Sequence, residues 1–494
     1  MPYAGKLATP RSLPRTLAFV IGAAVTAVGM MMMVPTVIAF VLAEHDAALG
    51  LGASAAIAIG CGVLGWRTLG RPGPIGMKEG FATVGLAWFV LSAFCALPYL
   101  FSGTIPGITD AFFESASGLT TTGASVISNP SNLPRGIGIW RGITQWLGGM
   151  GVIVLSIAVL PLLGTGGVQL ARAETPGGAP DRLTPRFQDT AKRLWLFYVA
   201  LTGVVAVLLV VGEMDWYQAL VHAMTTTATG GFGTESTSIA SFSAYTKWVL
   251  TAFMFISGAS FALHYRALRK PSKYGKSAEF RLYCCLTVIA VVIVIGGLLA
   301  DHSIGTAVVD GTFNVVSIIT TTGFATQDWA AWRPALQILV VGLMFLGGMA
   351  GSTSGSVTTF RVGVLTKAAF VDLRRLVYPR GVFMVRFGRD RIPERVVDSV
   401  QSFFLFYMFL FTTGTFLLTF IDANVSETMD LVTGASAVAA SLGNVGPAIG
   451  DVGPTSTYAT IPGLGKWLLS GLMIVGRLEI FPVLLLFTRD LWRR

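Results

Sequence analysis

Charge is what this sequence has least of. Asp, Glu, Lys and Arg make up 12% of its 494 residues, about half the share carried by soluble globular chains, so a set of soluble domains is excluded. Cysteine is also scarce. The four present (Cys61, Cys95, Cys284, Cys285) lie in or at the ends of apolar runs, which argues against a disulfide framework. The four histidines are scattered and form no ligand pair, so a metal site has little to build on. A credible nucleotide loop is missing too. Tyr274-Gly275-Lys276-Ser277 resembles the end of one, but Lys270 stands where its first glycine is required, and the stretch reads as a cytoplasmic turn.

What the chain does have is apolar length. Runs of roughly 20 residues, enough to cross ~30 Å of hydrocarbon, recur at 17–43, 49–66, 81–101, 142–163, 194–212, 247–265, 282–300, 334–365, 399–421 and 464–488. They predict an all-α polytopic membrane protein of about ten spans. The first run lacks a convincing cleavage site and is long enough to span, so no cleavable signal peptide is expected. The net charge of +10 could suggest nucleic acid, but its distribution does not. With the N-terminus in the cytoplasm, 29 of the 35 Lys and Arg fall on cytoplasmic segments. Arg135, Arg141, Lys247, Arg333 and Lys466 lie outside, and Arg477 sits within a span. The positive-inside rule therefore selects a topology with both termini cytoplasmic.

Between the spans lie four half-polar segments that begin with an acid and end in small residues: 110-DAFFESASGLTTTGAS-125, 215-DWYQALVHAMTTTATGGFGT-234, 310-DGTFNVVSIITTTGFAT-326 and 430-DLVTGASAVAASLGNVGPAIG-450. Acid to glycine is thirteen residues in the first and third (Asp110 to Gly123, Asp310 to Gly323) and sixteen in the second and fourth (Asp215 to Gly231, Asp430 to Gly446). Gly443 would restore thirteen in the fourth, whereas Gly446 keeps the order polar, apolar, glycine. Such short apolar pieces cannot span, which suggests re-entrant helices. Loop backbone at that depth is tolerated only where protein or a watery cavity surrounds it. One Thr-Thr-Thr-Gly is more simply a packing patch of small residues. Four copies at matched offsets instead predict four quarters of an ion filter, in which carbonyl oxygens replace a hydration shell.

Two further stretches stay open on the residues alone. In 347-GGMAGSTSGSVTTF-360, glycines four apart fit close helix packing as well as a broken helix crossing beneath the filter. Arg477 aligns with Gly149, Gly258 and Gly348 of the other second spans. It could put a positive charge in a vestibule or form a structural ion pair, though Glu479 lies on another helix face.

Taken together, these motifs resemble the Trk/Ktr/HKT superfamily of potassium transporters, and within it the TrkH-type potassium uptake subunits. The resemblance covers about 80–490, with 17–66 similar to the extra N-terminal pair of that type. It implies an N-terminal pair of spans (1–79) and four span–pore helix–span repeats (80–165, 166–276, 277–370, 371–494) around a central pore. The implied filter residues are Thr121, Thr122 and Gly123; Thr229, Gly230 and Gly231; Thr321, Thr322 and Gly323; and Asn444, Val445 and Gly446. Glycine at 123 points to potassium over sodium. One glycine per loop implies weaker selectivity than a two-glycine channel filter. The implied gate comprises Gly348, Gly351, Ser352, Thr353, Ser354 and Gly355 with Arg477. Further implications are potassium as the transported ion, no cofactor held by this chain, a bacterial inner-membrane location, a homodimer, and cytosolic nucleotide-binding TrkA-type regulatory subunits. Basic 366–395 is the docking candidate. An intramembrane enzyme would need a catalytic constellation that the Thr, Ser and Gly at depth do not provide. A proton- or sodium-coupled carrier would need midplane carboxylates, for which Glu114, expected near the outer end of its helix, and Glu479 are the candidates.

Overall fold

The computed structural model describes residues 13–68, 77–158, 185–425 and 429–489. These residues are almost wholly helical, the exception being a two-stranded ribbon at Arg386–Phe387 and Asp390–Arg391. Two units emerge. The smaller holds α1 (Leu13–Val41), α2 (His45–Thr68) and α3 (Met77–Phe101), together with residues 134–140 and the chain from Leu478. In it, α1 and α2 pack through small residues. A Cβ at Gly22 would lie 2.8 Å from the Gly62 carbonyl oxygen, so the two backbones meet only because both positions are glycine.

The larger unit, residues 113–133 and 141–477, alternates long and short helices. Span Ala278–Leu298 is apolar on every face, as a lipid-embedded helix must be. Its N-terminus is capped by Ser277, which accepts from the Phe280 amide at 3.2 Å. The four segments that precede the small-residue motifs form Ile108–Leu119, Trp216–Thr227, Ile304–Ile319 and Leu431–Leu442. Asp215 and Asp430 cap two of them. Asp310 does not begin its helix as the sequence suggested. The third helix starts at Ile304 with Ser303 as cap, and Asp310 lies inside it, paired with Lys247 at 3.1 Å.

Six described helices are long and apolar enough to cross a membrane: Arg15–Val41, His45–Arg67, Gly80–Phe101, Asp189–Gly212, Ala278–Leu298 and Glu394–Ala423. Three of the ten apolar runs are interrupted, the second of them as the broken-helix alternative for 347–360 allowed. That over 247–265 bends by 97° between Ala244–Ser257 and Phe261–Arg269. That over 334–365 stops at Met344 and resumes at Thr359. The last splits into Gly463–Arg477 and Phe481–Leu486. At the first two breaks the cause is Gly and Ser content, where helix propensity is poor; the third, Leu478-Glu479-Ile480, has neither and turns instead through left-handed Glu479 and Ile480. Run 142–163 coincides with helix Arg135–Ala158, its end lying outside the described residues. Tyr274-Gly275-Lys276 belongs to a short helix, Ser272–Lys276.

Candidate ion filter and intramembrane loop

All four short helices end the same way. The second residue beyond each helix is left-handed: Thr121 at φ 53°, Thr229 at 52°, Thr321 at 57° and Asn444 at 54°. Its amide reaches back to the residue three before it (Gly118, Thr226, Ile318 and Ser441) at 2.9–3.2 Å. The next amide (Thr122, Gly230, Thr322, Val445) donates to the carbonyl five residues before it, at 2.8 Å in every copy. This is a Schellman cap, whose left-handed position is usually glycine and sometimes asparagine. Threonine there is unfavourable by roughly 1–2 kcal/mol because its branched Cβ crowds the backbone. Three such threonines at one place mark a site where the chain accepts strain.

The fourth residue beyond each helix is a left-handed glycine: Gly123 at 86°, Gly231 at 77°, Gly323 at 83° and Gly446 at 98°. Gly443 instead closes its helix in right-handed geometry, at φ −80°, so Gly446 is the conformational counterpart of the other three. The glycines are also spatially equivalent. A Cβ on Gly123 would strike the carbonyl oxygen of Gly230, one on Gly231 that of Thr322, one on Gly323 that of Val445, and one on Gly446 that of Thr122. The order runs from the first loop to the second, third and fourth and back to the first, a closed ring. The ends of four helix dipoles, each roughly half a negative charge, converge on it, which favours a cation.

Hydroxyls and amides tie the ring together. Thr120 and Thr122 share a hydrogen bond at 2.7 Å, and Thr320 and Thr322 one at 2.8 Å. Asn444 Nδ2 donates to Thr122 Oγ1 at 3.0 Å, joining the fourth loop to the first. Gln145, which the sequence reading passed over, donates to the Gly230 carbonyl at 2.6 Å and accepts from the Phe232 amide at 3.1 Å. A polar residue amid an otherwise apolar run was the available signal. Glu114, expected near the outer end of its helix, stands midway along Ile108–Leu119. It is fully buried and bonded to Arg141 at 2.9 Å.

The interrupted segment 345–358 lies against the helix side of these loops. The Gly355 amide donates to Thr321 Oγ1 at 2.8 Å, and Thr353 Oγ1 lies 3.2 Å from Thr229 Oγ1 and 3.2 Å from the Thr227 carbonyl. The Met349 amide donates to the Gly258 carbonyl at 2.8 Å, and the Phe261 amide to the Gly351 carbonyl at 3.1 Å. Gly348 backs onto Ser354 and the Gly258 carbonyl, and Ser352 bonds the Met349 carbonyl at 2.7 Å. Arg477 is buried and donates to the Thr353 carbonyl at 2.7 Å. The expected filter and loop residues are therefore neighbours.

Fold and ring together define the class: a mostly helical membrane protein with several apolar spans and a bent, re-entrant-like helix pair. Residues 51–281 and 278–493 match the TrkH family, described as cation transport protein. The chain belongs to that family, which comprises transporters and not enzymes. The Trk system potassium uptake protein TrkH of Escherichia coli (strain K12) is 39% identical over 447 residues, covering 89% of this chain and 90% of that protein. Its counterpart in Vibrio parahaemolyticus is 37% identical over 491 residues, 97% and 99% of the two chains. The crystal structure of the potassium transporter TrkH from Vibrio parahaemolyticus superposes with a TM-score of 0.88 at 35% identity, covering 97% of this chain and 99% of that one.

Proposed function

We propose that this chain passes potassium into the cell through one gated pore, with the ring of four loops as its filter. The observation that carries the reading is the fourfold repetition of one backbone shape, left-handed at Thr121, Thr229, Thr321 and Asn444 and again at each glycine. Such loops present carbonyl oxygens in place of water around a dehydrated ion. The relatives' names, as potassium uptake proteins, supply the ion. Four repeats (80–165, 166–276, 277–370, 371–494) enclose the pore, and a pair of spans within 1–79 precedes them.

Segment 345–358 is the gate in this reading, held beneath the ring by Thr229, Thr321 and Arg477. Passive flow is favoured over proton or sodium coupling, because Glu114, one of the two candidate carboxylates, is engaged by Arg141 and by the Val126 amide. The basic cytoplasmic segments around 366–395 suit docking of nucleotide-binding TrkA-type subunits in the bacterial inner membrane, with the pore protein as a homodimer. The test is current against membrane potential in proteoliposomes, with and without a proton gradient. Potassium current that reverses at the potassium equilibrium potential, whatever the proton gradient, is expected. A reversal potential that follows the proton gradient would overturn passive flow, and absence of potassium current would overturn the reading itself.

A further inference from the structure

Behind each loop a polar side chain of the short helix holds the chain that leaves the ring, by a backbone amide in three copies and by a hydroxyl in the second. Nine residues before the glycine stand Glu114, His222 and Asn314; in the fourth copy Ala437 occupies that position and its neighbour Ser436 takes the role. The partner is always the third residue past the glycine. The Val126 amide donates to Glu114 Oε2 at 3.0 Å, and His222 Nε2 lies 3.1 Å from Thr234 Oγ1. The Thr326 amide donates to Asn314 Oδ1 at 3.1 Å, and the Ile449 amide to Ser436 Oγ at 3.0 Å. Four chemically different side chains thus hold one equivalent position, three through its backbone amide and His222 through a hydroxyl, and only the first is a carboxylate.

That first brace reaches further than the others. Arg141 Nε donates to Glu114 Oε1 at 2.9 Å, while its NH1 donates to the Gly233 carbonyl at 3.2 Å. The guanidinium lies 4.1 Å from the centre of the Phe232 ring. Glu114 also accepts from Ser125 Oγ at 3.0 Å. Ser125 and Val126 belong to the first loop, Phe232 and Gly233 to the second. The pair is therefore a charged rivet between two quarters of the ring, made strong and geometrically strict by burial.

We propose that the Glu114–Arg141 pair is a positioning device for ion selection, fixing the spacing of the first and second loops so that their carbonyls suit potassium and cannot close around smaller sodium. It rests on the filter reading above. A carbonyl ring that can contract fits the smaller ion better, so selectivity depends on what keeps the loops apart.

The test is the potassium-to-sodium preference of Glu114→Gln, from competitive uptake of the two ions into proteoliposomes, normalised to monodisperse protein. Glutamine keeps the size and one acceptor but removes the ion pair. The preference should fall by roughly tenfold, equivalent to about 1.4 kcal/mol between the ions. Should the single variant fail to fold, Glu114→Gln with Arg141→Met removes both charges and carries the same expectation. Asn314→Ala removes an uncharged brace and should lower the preference less. A folded Glu114 variant with wild-type preference overturns the proposal, as does failure of both variants to fold, which would assign the pair to stability alone. Gly123→Ser runs alongside. If it too leaves preference unchanged, the filter reading falls; if it alone shifts preference, only the rivet does.

Discussion

Arg477 NH1 donates to the backbone carbonyl of Thr353 at 2.7 Å, tying the end of helix Gly463–Arg477 to the middle of the interrupted segment. Both residues are buried, and Nε and NH2 of the arginine have no protein partner among the described residues. The cation is held by a loop carbonyl. A guanidinium in this setting has two consequences: it anchors the loop, and it leaves positive charge close to the ring.

The first prediction follows from that charge. At about 5 Å and an effective dielectric of about 20, a guanidinium opposes a passing potassium ion by roughly 3 kcal/mol. Arg477→Ala should raise potassium flux per folded protein at least tenfold, since the loop anchor is lost as well. Arg477→Lys, which keeps the charge, should retain most of the barrier. Flux assays paired with size exclusion decide it, and a monodisperse alanine variant with wild-type flux contradicts the barrier.

Removal of Gly351 to Gly355 should raise basal flux without a comparable change in ion preference, because the segment lies beneath the ring and contributes none of its glycines. The Glu279 carboxylate, which accepts from the Ala350 amide at 2.6 Å, holds the same segment from the side. Glu279→Gln should therefore move basal flux in the same direction by a smaller factor. Lost preference for potassium in the deletion would mean that the segment shapes the filter rather than the gate.

Gly123→Ser should lower potassium over sodium preference while the protein still folds. The added Cβ would strike the Gly230 carbonyl in a left-handed conformation that side chains avoid, so one quarter of the ring must shift. Competitive uptake reads the outcome, and unchanged preference in well-expressed protein counts against the filter.

Much of this was legible in the residues. Apolar runs announced the spans, and repeated spacings paired Gly123 with Gly323 and Gly231 with Gly446. Two things were not. A Schellman cap with threonine in the left-handed position leaves no propensity signal, because the sequence there looks merely β-branched. The braces were hidden because Glu114, His222, Asn314 and Ser436 share a position in space and no side-chain chemistry. Helix breaks near 258–260 and 345–358 were only half visible, since Gly and Ser pack helices as readily as they end them.

Those threonines give the last prediction. Thr321 Oγ1 accepts from the Gly355 amide at 2.8 Å, whereas Thr121 Oγ1 has no protein partner among the described residues. Both stand in the same left-handed conformation, so replacing either by glycine relieves the same backbone crowding. Only Thr321→Gly also leaves the Gly355 amide without its acceptor, at a cost of about 1–3 kcal/mol if that amide stays buried. The cost falls on the closed position of the loop, so Thr321→Gly should raise basal flux about tenfold more than Thr121→Gly does. The ratio between the two variants cancels the shared effect on backbone strain and isolates the loop contact. Equal flux in the two would mean that the hydroxyl of Thr321 does not hold the gate.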